Sequence, residues 1–376
     1  MNTTLHCQNY SIKPTLYMAM ELADKSWKLL FSNGAKQRNK TVNALDRNQL
    51  MFEIRQSKER LNLPADSDVI ACYEAGWEGA WLARWLRDKG VTVHVADSSA
   101  IEVNRRYRRA KTDRVDARKL LLLLWRYLQG EKDALHVVNL PTIEDEDARR
   151  LHRERDVLVK ERGRHWVRIK SLLRAQGLRI ETKRDFLAQL DALRCWNGES
   201  VPTELRAEIE REWARHELVD EQIRVLERQQ KTRVNDRQLV AMEQVRGLMA
   251  LKSIGWQSAW LLVHELFAWR QFRNRRELAS LVGLTPTPYS SGDSEREQGI
   301  SKTGNRRVRT AMIELAWMWL THQPGSALSQ WFENRFAGGG KRLRRIGIVA
   351  LARKLLVALW RYLTLGLVPE GAVLKY

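Results

Sequence analysis

Apolar and polar positions fall into blocks along the chain, and their period changes twice. Residues 15–22, TLYMAMEL, form an apolar run, and in SWKLLFSNG Trp27, Leu29 and Phe31 alternate with their neighbours before a turn. Together the two segments predict a β-hairpin. DVIACYEA at 68–75 is short, apolar and β-branched at its start, which predicts a strand covered on both faces. GAWLARWLRDKG carries apolar residues at helical spacing and ends on Gly90, and VTVHVAD puts Val91, Val93 and Val95 on one face of a following strand. A further helix is expected from near Thr112 through LLLLWRYL. Strand, helix, strand, helix after a hairpin predicts a mixed sheet with helices on its faces.

From about residue 142 the texture is that of charged helix formers. Leu151, Leu158, His165 and Leu172 recur every seven residues. After Pro202 a second seam runs through Leu205, Ile209, His216, Val219, Ile223 and Leu226, with Glu212 in one seam position. These are two long helices, forming an antiparallel hairpin or an intermolecular coiled coil, and in either arrangement a spacer and assembly element. LKSIGWQSAWLLVHEL at 251–266 reads as a helix, a tight turn at Gly255 and a second helix; it resembles a helix-hairpin-helix, whose turn amides suit a phosphate. A Gly-, Pro- and Ser-rich loop follows, then a helix opened by Gly304-Asn305, and the tail GKRLRRIGIVALARKLLVALWRYL has the pattern of a basic amphipathic helix. The fold class is thus α/β followed by mostly α, in three parts: 1–130, a helical coiled-coil spacer at 131–245, and a mostly helical 246–376.

Charge narrows the function. Lys and Arg number 65 against 45 acids in 376 residues, a formal charge of +20, which calls for a polyanionic partner. Nucleic acid leads, because neutralising phosphates releases counterions, whereas no lipidation signal for an anionic membrane is found. The three cysteines, Cys7, Cys72 and Cys195, are too scattered for a zinc site or a disulfide framework and fit a reducing interior. With no run of membrane-span length and no signal-peptide pattern at the N-terminus, a soluble cytoplasmic protein is expected. Of the 15 tryptophans some could stack on bases, but at helical spacing, as in WMWL and AWLARWL, core packing is expected.

Within the basic stretch RRYRRAKTDRVDARKL, Asp113 and Asp116 share one helix face, where two like charges repel unless a cation sits between them. Ordinary surface pairing with Arg109, Lys111, Arg114 and Lys119 is the plain alternative. Two further acids change the balance: Glu21 and Glu74 each come near the carboxyl end of an apolar strand, where open α/β sheets place their sites. Four carboxylates from two strands and a nearby helix are the oxygen-only donor set of a pair of hard divalent ions in phosphodiester chemistry. The basic flank, Arg105, Arg106, Arg108, Arg109, Lys111 and Arg114, would then hold DNA or RNA over the acids. A second constellation, YSSGDSEREQGISKTGN, sets Ser290, Ser291, Ser294 and Ser301 among glycines, with Arg296, Lys302, Asn305, Arg306 and Arg309 as candidate phosphate contacts. From the residues alone this is a phosphate-gripping loop more readily than a nucleophile, because its possible bases, His264 and His322, read as helix-face histidines.

These residues carry a resemblance. YEAG followed by KTDRVDA, and GLTPTPYSSG followed by GISKTGN, in this order around a helical spacer, resemble the DEDD transposases of bacterial insertion sequences. The likeness covers nearly the whole chain. It implies a RuvC-like, ribonuclease-H-type domain in the first third and a transposase domain near 248–325. It also implies a recombinase that cuts and rejoins DNA, with Mg²⁺ (or Mn²⁺) held by Glu21, Glu74, Asp113 and Asp116. Ser291, directly before Gly292, is the implied nucleophile. A bridge RNA encoded by the element is the implied guide, and a dimer or tetramer on nucleic acid the implied assembly. One departure stands out: the family usually has aspartate in GIDVSK, where AMELADK here offers Glu21, with Asp24 three residues on. A metal-dependent nuclease or junction resolvase, using water at the acids, is the alternative enzyme, and a nucleic-acid scaffold the non-enzymatic one.

Overall fold

The computed structural model describes residues 14–76, 79–97, 113–237, 239–291 and 294–375; for 113–116, 288–291 and 294–298 the description is of the backbone. Two compact units emerge, Met1–Pro141 and Thr142–Tyr376.

In the first unit β1 (Thr15–Leu22) pairs antiparallel with β2 (Ser26–Ser32), as the hairpin pattern predicts, and β2 pairs antiparallel with β3 (Gln37–Asn43). Helix α1 (Arg47–Arg60), capped by the Asp46 carboxylate on Gln49 N–H, leads to β4 (Asp68–Glu74). After α2 (Trp81–Asp88) comes β5 (Thr92–Ala96), and then α3 (Asp113–Leu128). β4 is parallel to both β1 and β5, giving a mixed five-stranded sheet in the order β3-β2-β1-β4-β5.

The near-continuous apolar run of β1 has a direct cause: both faces are covered. Leu16, Met18 and Met20 pack with Leu50 and Ile54 of α1 and Leu82 and Leu86 of α2. Tyr17, Ala19 and Cys72 face Ala117, Leu120, Leu121 and Leu124 of α3. β3 and α1 are absent from the expectation. β3 is a polar edge strand, QRNKTVN, in which only Val42 is buried, so it carries no apolar period.

The second unit opens with α4 (Ile143–Ala148), whose Thr142 and Asp145 form a reciprocal capping box, and α5 (Arg150–Arg174). α6 (Phe186–Ala192) turns the chain into α7 (Thr203–Val234). α5 and α7 are antiparallel partners within one chain: Arg155 pairs with Glu227 at 2.7 Å, Arg162 with Asp220, and Arg168 with Glu208 at 2.7 Å. Of the two arrangements left open by the heptads, the hairpin is the one formed. Glu212 keeps its seam position because His165 Nδ1 lies 2.7 Å from one carboxyl oxygen and Arg215 donates to the other at 2.7 Å. Burial pushes its carboxyl up, and the His165 bond with the charges of Arg215 and Arg168 outweighs that, holding it below its ordinary value.

The chain continues through α8 (Val240–Ala250), α9 (Trp256–Leu262), a π-helical turn at Val263–Phe267 and α10 (Arg275–Val282). β6 (Pro286–Ser291) and β7 (Ser294–Ile300) form an antiparallel hairpin where the sequence reading has a loop. α11 (Arg306–His322), α12 (Ala327–Phe336) and α13 (Lys341–Leu365) complete the unit. Trp260, Trp319 and Phe332 are fully buried in its core with Leu351 and Leu355, so these two tryptophans are packing residues, as expected, whereas Trp317 of WMWL is 42% exposed and Trp196 91% exposed, against the expectation. Gly347 lets α12 lie against α13, since a Cβ there would meet Phe336 Cγ at 2.5 Å. Among the described residues no helix is long and apolar enough to cross a membrane.

Candidate active site

Register places the first two acids. Met20 pairs with Tyr73 in the parallel β1–β4 ladder, so Glu21 and Glu74, one residue further along each strand, are lateral neighbours at the carboxyl end of the sheet. Side chains alternate across a strand, so both acids belong with Ala19 and Cys72 to the face that α3 covers. Glu74 is exposed and Glu21 half-buried. Opposite Glu21 on β2 stands Lys28, a cation the sequence reading overlooks.

The direction of α3 decides where the two aspartates belong. Tyr17, early in β1, meets Trp125 edge-on at 5.9 Å, whereas the Cys72 thiol, level with Ala19, lies 3.6 Å from the Leu120 carbonyl. The helix therefore descends as the strand ascends. One turn back from Leu120, about 6 Å, comes Asp116; two residues on from Ala19, about 7 Å, comes Glu21. The first turn of α3, with Asp113, Arg114 and Asp116, thus begins at the strand end that carries Glu21 and Glu74. Arg105, Arg106, Arg108, Arg109 and Lys111 lie outside the described residues. Among the described residues no three His, Cys, Asp or Glu side chains form a metal-holding group, and the described part of the acidic set is the pair on β1 and β4. Two adjacent carboxylates at a strand end suit a hard divalent ion, which takes oxygen donors and leaves positions for phosphate.

In the second unit Ser291 closes the β6–β7 hairpin by pairing with Ser294, and Ser290 pairs with Glu295 and Tyr289 with Arg296. The foot of this hairpin is bolted to the end of α10. Asn305 N–H donates to Leu281 O at 2.8 Å and Lys302 N–H to Gly283 O at 3.2 Å, with Lys302 itself at φ +58. The backbones approach so closely that a Cβ on Gly304 would fall 2.1 Å from Leu281 O, and one on Gly283 2.1 Å from Thr303 O. That close approach accounts for glycine at both ends of the GLTP…KTGN pattern. Lys302 and Arg306 are exposed. Arg309 donates to the carbonyls of Val282 and Thr303, both at 2.9 Å, and Asn305 caps α11 by accepting from Val308 N–H. These two side chains are therefore engaged by the protein itself. Gly255 is the N-cap of α9, following Ser253 at φ +91; residues 251–255 form a turn rather than the first helix read there from the sequence, the preceding helix α8 ending at Ala250.

A residue absent from the sequence reading organises this region. Glu265, in the π-helical turn, is 2 % exposed. Its Oε1 accepts from Arg153 Nε at 2.7 Å and lies 2.9 Å from His152 Nε2; its Oε2 accepts from Arg153 Nη2 at 2.9 Å and Asn305 Nδ2 at 2.8 Å. One carboxylate thus ties α5 to the start of α11. Burial raises its pKa, and the bonds from His152 and Arg153 outweigh that, holding the carboxyl well below the usual range. Its neighbour His264, lowered to about 4 by burial and by the nearby His152 and Arg233 charges, packs on Trp260 at 4.6 Å. It is a core residue. In the sequence Glu265 is a lone acid within VHELF, and its donors on α5 and at Asn305 stand far from it along the chain.

A model of the Transposase IS116/IS110/IS902 family matches residues 245–330, and an IS110-type DEDD transposase model matches residues 32–176. The y4rJ protein of Sinorhizobium fredii, named a transposase, is 40% identical over 375 residues, 96% of this chain and 94% of that protein. The chain belongs to the IS110-type DEDD transposases. A Yersinia enterocolitica transposase for insertion sequence element IS1328 is 27% identical over 241 residues, 63% of this chain and 69% of that protein. The Coxiella burnetii transposase for IS1111A is 26% identical over 257 residues, covering 68% of this chain and 67% of that protein. This transposase acts on DNA, and its first matched region runs from the end of β2 through α5, its second from α8 into α12.

Proposed function

We propose that this transposase cuts and rejoins DNA through a serine-phosphodiester intermediate, with Ser291 as nucleophile and Glu21, Glu74, Asp113 and Asp116 as the acidic set of a RuvC-like, ribonuclease-H-type domain. The observation that carries the reading is the antiparallel course of α3 over β1, which starts the Asp113-to-Asp116 turn at the strand end bearing Glu21 and Glu74. The sheet order β3-β2-β1-β4-β5 supports the ribonuclease-H-type assignment.

The four carboxylates would hold Mg²⁺ or Mn²⁺. Such ions, when bound, polarise a phosphate and favour charge on the attacking and leaving oxygens. Ser291 attacks phosphorus, the bond to the leaving sugar oxygen breaks, and the strand stays on the protein as a phosphoserine ester. Attack by another strand's hydroxyl reverses the exchange, so no external energy source is required. The basic flank from Arg105 to Arg114, with Arg296, Lys302 and Arg306, grips phosphates. Residues 1–130 supply the acids, 131–245 the spacer and 246–376 the serine. A guide RNA would supply target choice by pairing, and sharing of acids and serine between chains would couple cleavage to assembly of a dimer or tetramer.

Ser291→Ala is expected to abolish both strand exchange and the covalent protein–DNA adduct, and Asp113→Asn to abolish exchange. An adduct that persists in Ser291→Ala moves the nucleophile elsewhere. Metal-dependent nicking that ignores Ser291→Ala replaces the proposal with a water-using nuclease. A mixture of Ser291→Ala and Asp113→Ala proteins regains activity only if sites are shared between chains.

A further inference from the structure

Beside the foot of the β6–β7 hairpin lies a cavity of about 1190 Å³ between α10, α12 and α13. Nine cationic side chains line it: Arg275 and Arg276 of α10, Lys302, and six on α13 between Lys341 and Arg361. No acidic side chain is among its described lining residues, and none of the nine makes an ion pair with a described residue. Charge of one sign focused in a concavity raises its own energy until a polyanion enters.

The groove is not simply basic. Along α13 the lining residues Arg342, Ile346, Val349, Arg353, Val357 and Arg361 follow one another in steps of three and four, so apolar side chains are interspersed with cationic ones down one helix face. Ile346 is 52% exposed. Across from this stripe Trp331 adds an aromatic face, with Lys354 Nζ 4.5 Å from its ring centroid.

We propose that this groove binds a single-stranded polynucleotide. Such a strand offers both kinds of group, phosphates for the cations and unpaired base faces for the apolar and aromatic floor. A duplex turns its base faces inward and would leave that floor unmatched. A bilayer is flat, whereas the stripe forms the wall of a trough. From Lys341 to Arg361 the cations extend about 30 Å along the helix, enough for on the order of five to nine nucleotides. The inference does not depend on Ser291 chemistry, since none of the groove's partners is a proposed catalytic group.

The test is fluorescence anisotropy on the full chain with labelled 12-nucleotide single-stranded RNA, single-stranded DNA and the matching duplex, across a salt series. Arg342→Gln, Arg353→Gln and Arg361→Gln together are expected to weaken single-strand binding at least tenfold at 0.1 M salt. They should also lower the slope of log K against log salt by about 2, at about 0.7 for each phosphate no longer neutralised. Ile346→Ser, at an exposed position, is expected to weaken single strands and leave the duplex unchanged. A preference for the RNA arm assigns the groove to a guide, and a preference for the DNA arm to an unwound substrate strand. Melting temperatures confirm that each variant is folded, and a binding readout that needs no strand cleavage separates this test from that of the nucleophile. Unchanged single-strand affinity and salt slope in the triple variant, or equal competition by polyglutamate, would overturn the assignment.

Discussion

Glu265→Gln keeps the shape of a buried side chain and removes its charge. The carboxylate accepts on both oxygens: Oε1 faces Arg153 Nε and His152 Nε2, and Oε2 faces Arg153 Nη2 and Asn305 Nδ2. An amide has one acceptor, so whichever way it turns, its NH₂ meets an Arg153 donor. Removing one partner of a buried ion pair costs about 3–5 kcal/mol. The lower end applies here, because Arg153 is 41% exposed and can turn to water while Glu265, at 2%, cannot. About 3 kcal/mol in a unit of this size lowers its melting temperature by roughly 6–12 °C. Calorimetry of the full chain reads this directly, and a double-mutant cycle with Arg153→Gln isolates the pair at an expected coupling of about 1–3 kcal/mol. A Glu265→Gln protein that melts within a degree of wild type, with no coupling to Arg153, would refute the account of this carboxylate as the tie between α5 and α11.

Other expectations follow from the same geometry. Gly304→Ala must fit a Cβ 2.1 Å from Leu281 O at φ +72, whereas Gly198→Ala, at φ +82, meets nothing within 4 Å. Both carry the left-handed penalty of about 1–2 kcal/mol. Only Gly304→Ala should lose more, and equal melting temperatures would contradict the close approach. Acid should weaken the second unit. His264 and His216, buried and each lowered to about 4, bind protons in the unfolded chain first, so stability falls from about pH 6.5 toward 4 at about 1.4 kcal/mol per pH unit for each. Glu265, whose pKa is depressed, adds stability above its ordinary range near 4.3 that is lost only in stronger acid. Urea melts between pH 7 and 4 check this, and a flat profile refutes it. Finally, Cys72 is fully buried with its thiol pushed up to about 12 by that burial, whereas Cys195 is half-exposed. In a Cys7→Ser background, native protein should take up one equivalent of a thiol reagent, at Cys195, and a second only on unfolding.

What the sequence reveals depends on whether an element buries a regular set of positions. β1, β2, β4 and β5 announce themselves because their apolar residues are covered, and α2, α3, α11 and α13 because their stripes are. β3, β6 and β7 do not: QRNKTVN, PTPYSS and SEREQGI are polar strands, held by ladder bonds that leave no hydrophobic period. α1 was legible in principle from Asp46 as a cap and from Leu50, Ile54 and Ser57 at helical steps. The heptads identify α5 and α7 as partners of something, but only the order of their ion pairs makes them partners of each other. In the acidic set, strand alternation and register bring Glu21 beside Glu74, a relation no spacing in the sequence contains. Glu265 escapes for the reason that makes it important, since a lone acid between Val263-His264 and Leu266-Phe267 is meaningful only once its donors from α5 and Asn305 are in view.

The α5–α7 hairpin behaves as an adjustable ruler. Arg155 with Glu227 and Arg162 with Asp220 repeat after one heptad on each helix, in opposite directions. Excising residues 156–162 together with 220–226 would therefore leave the remaining rungs facing their partners. The tip that carries α6 would draw in by about 10 Å and swivel by about 20°. Graded shortening of this kind measures how much reach the enzyme's work demands.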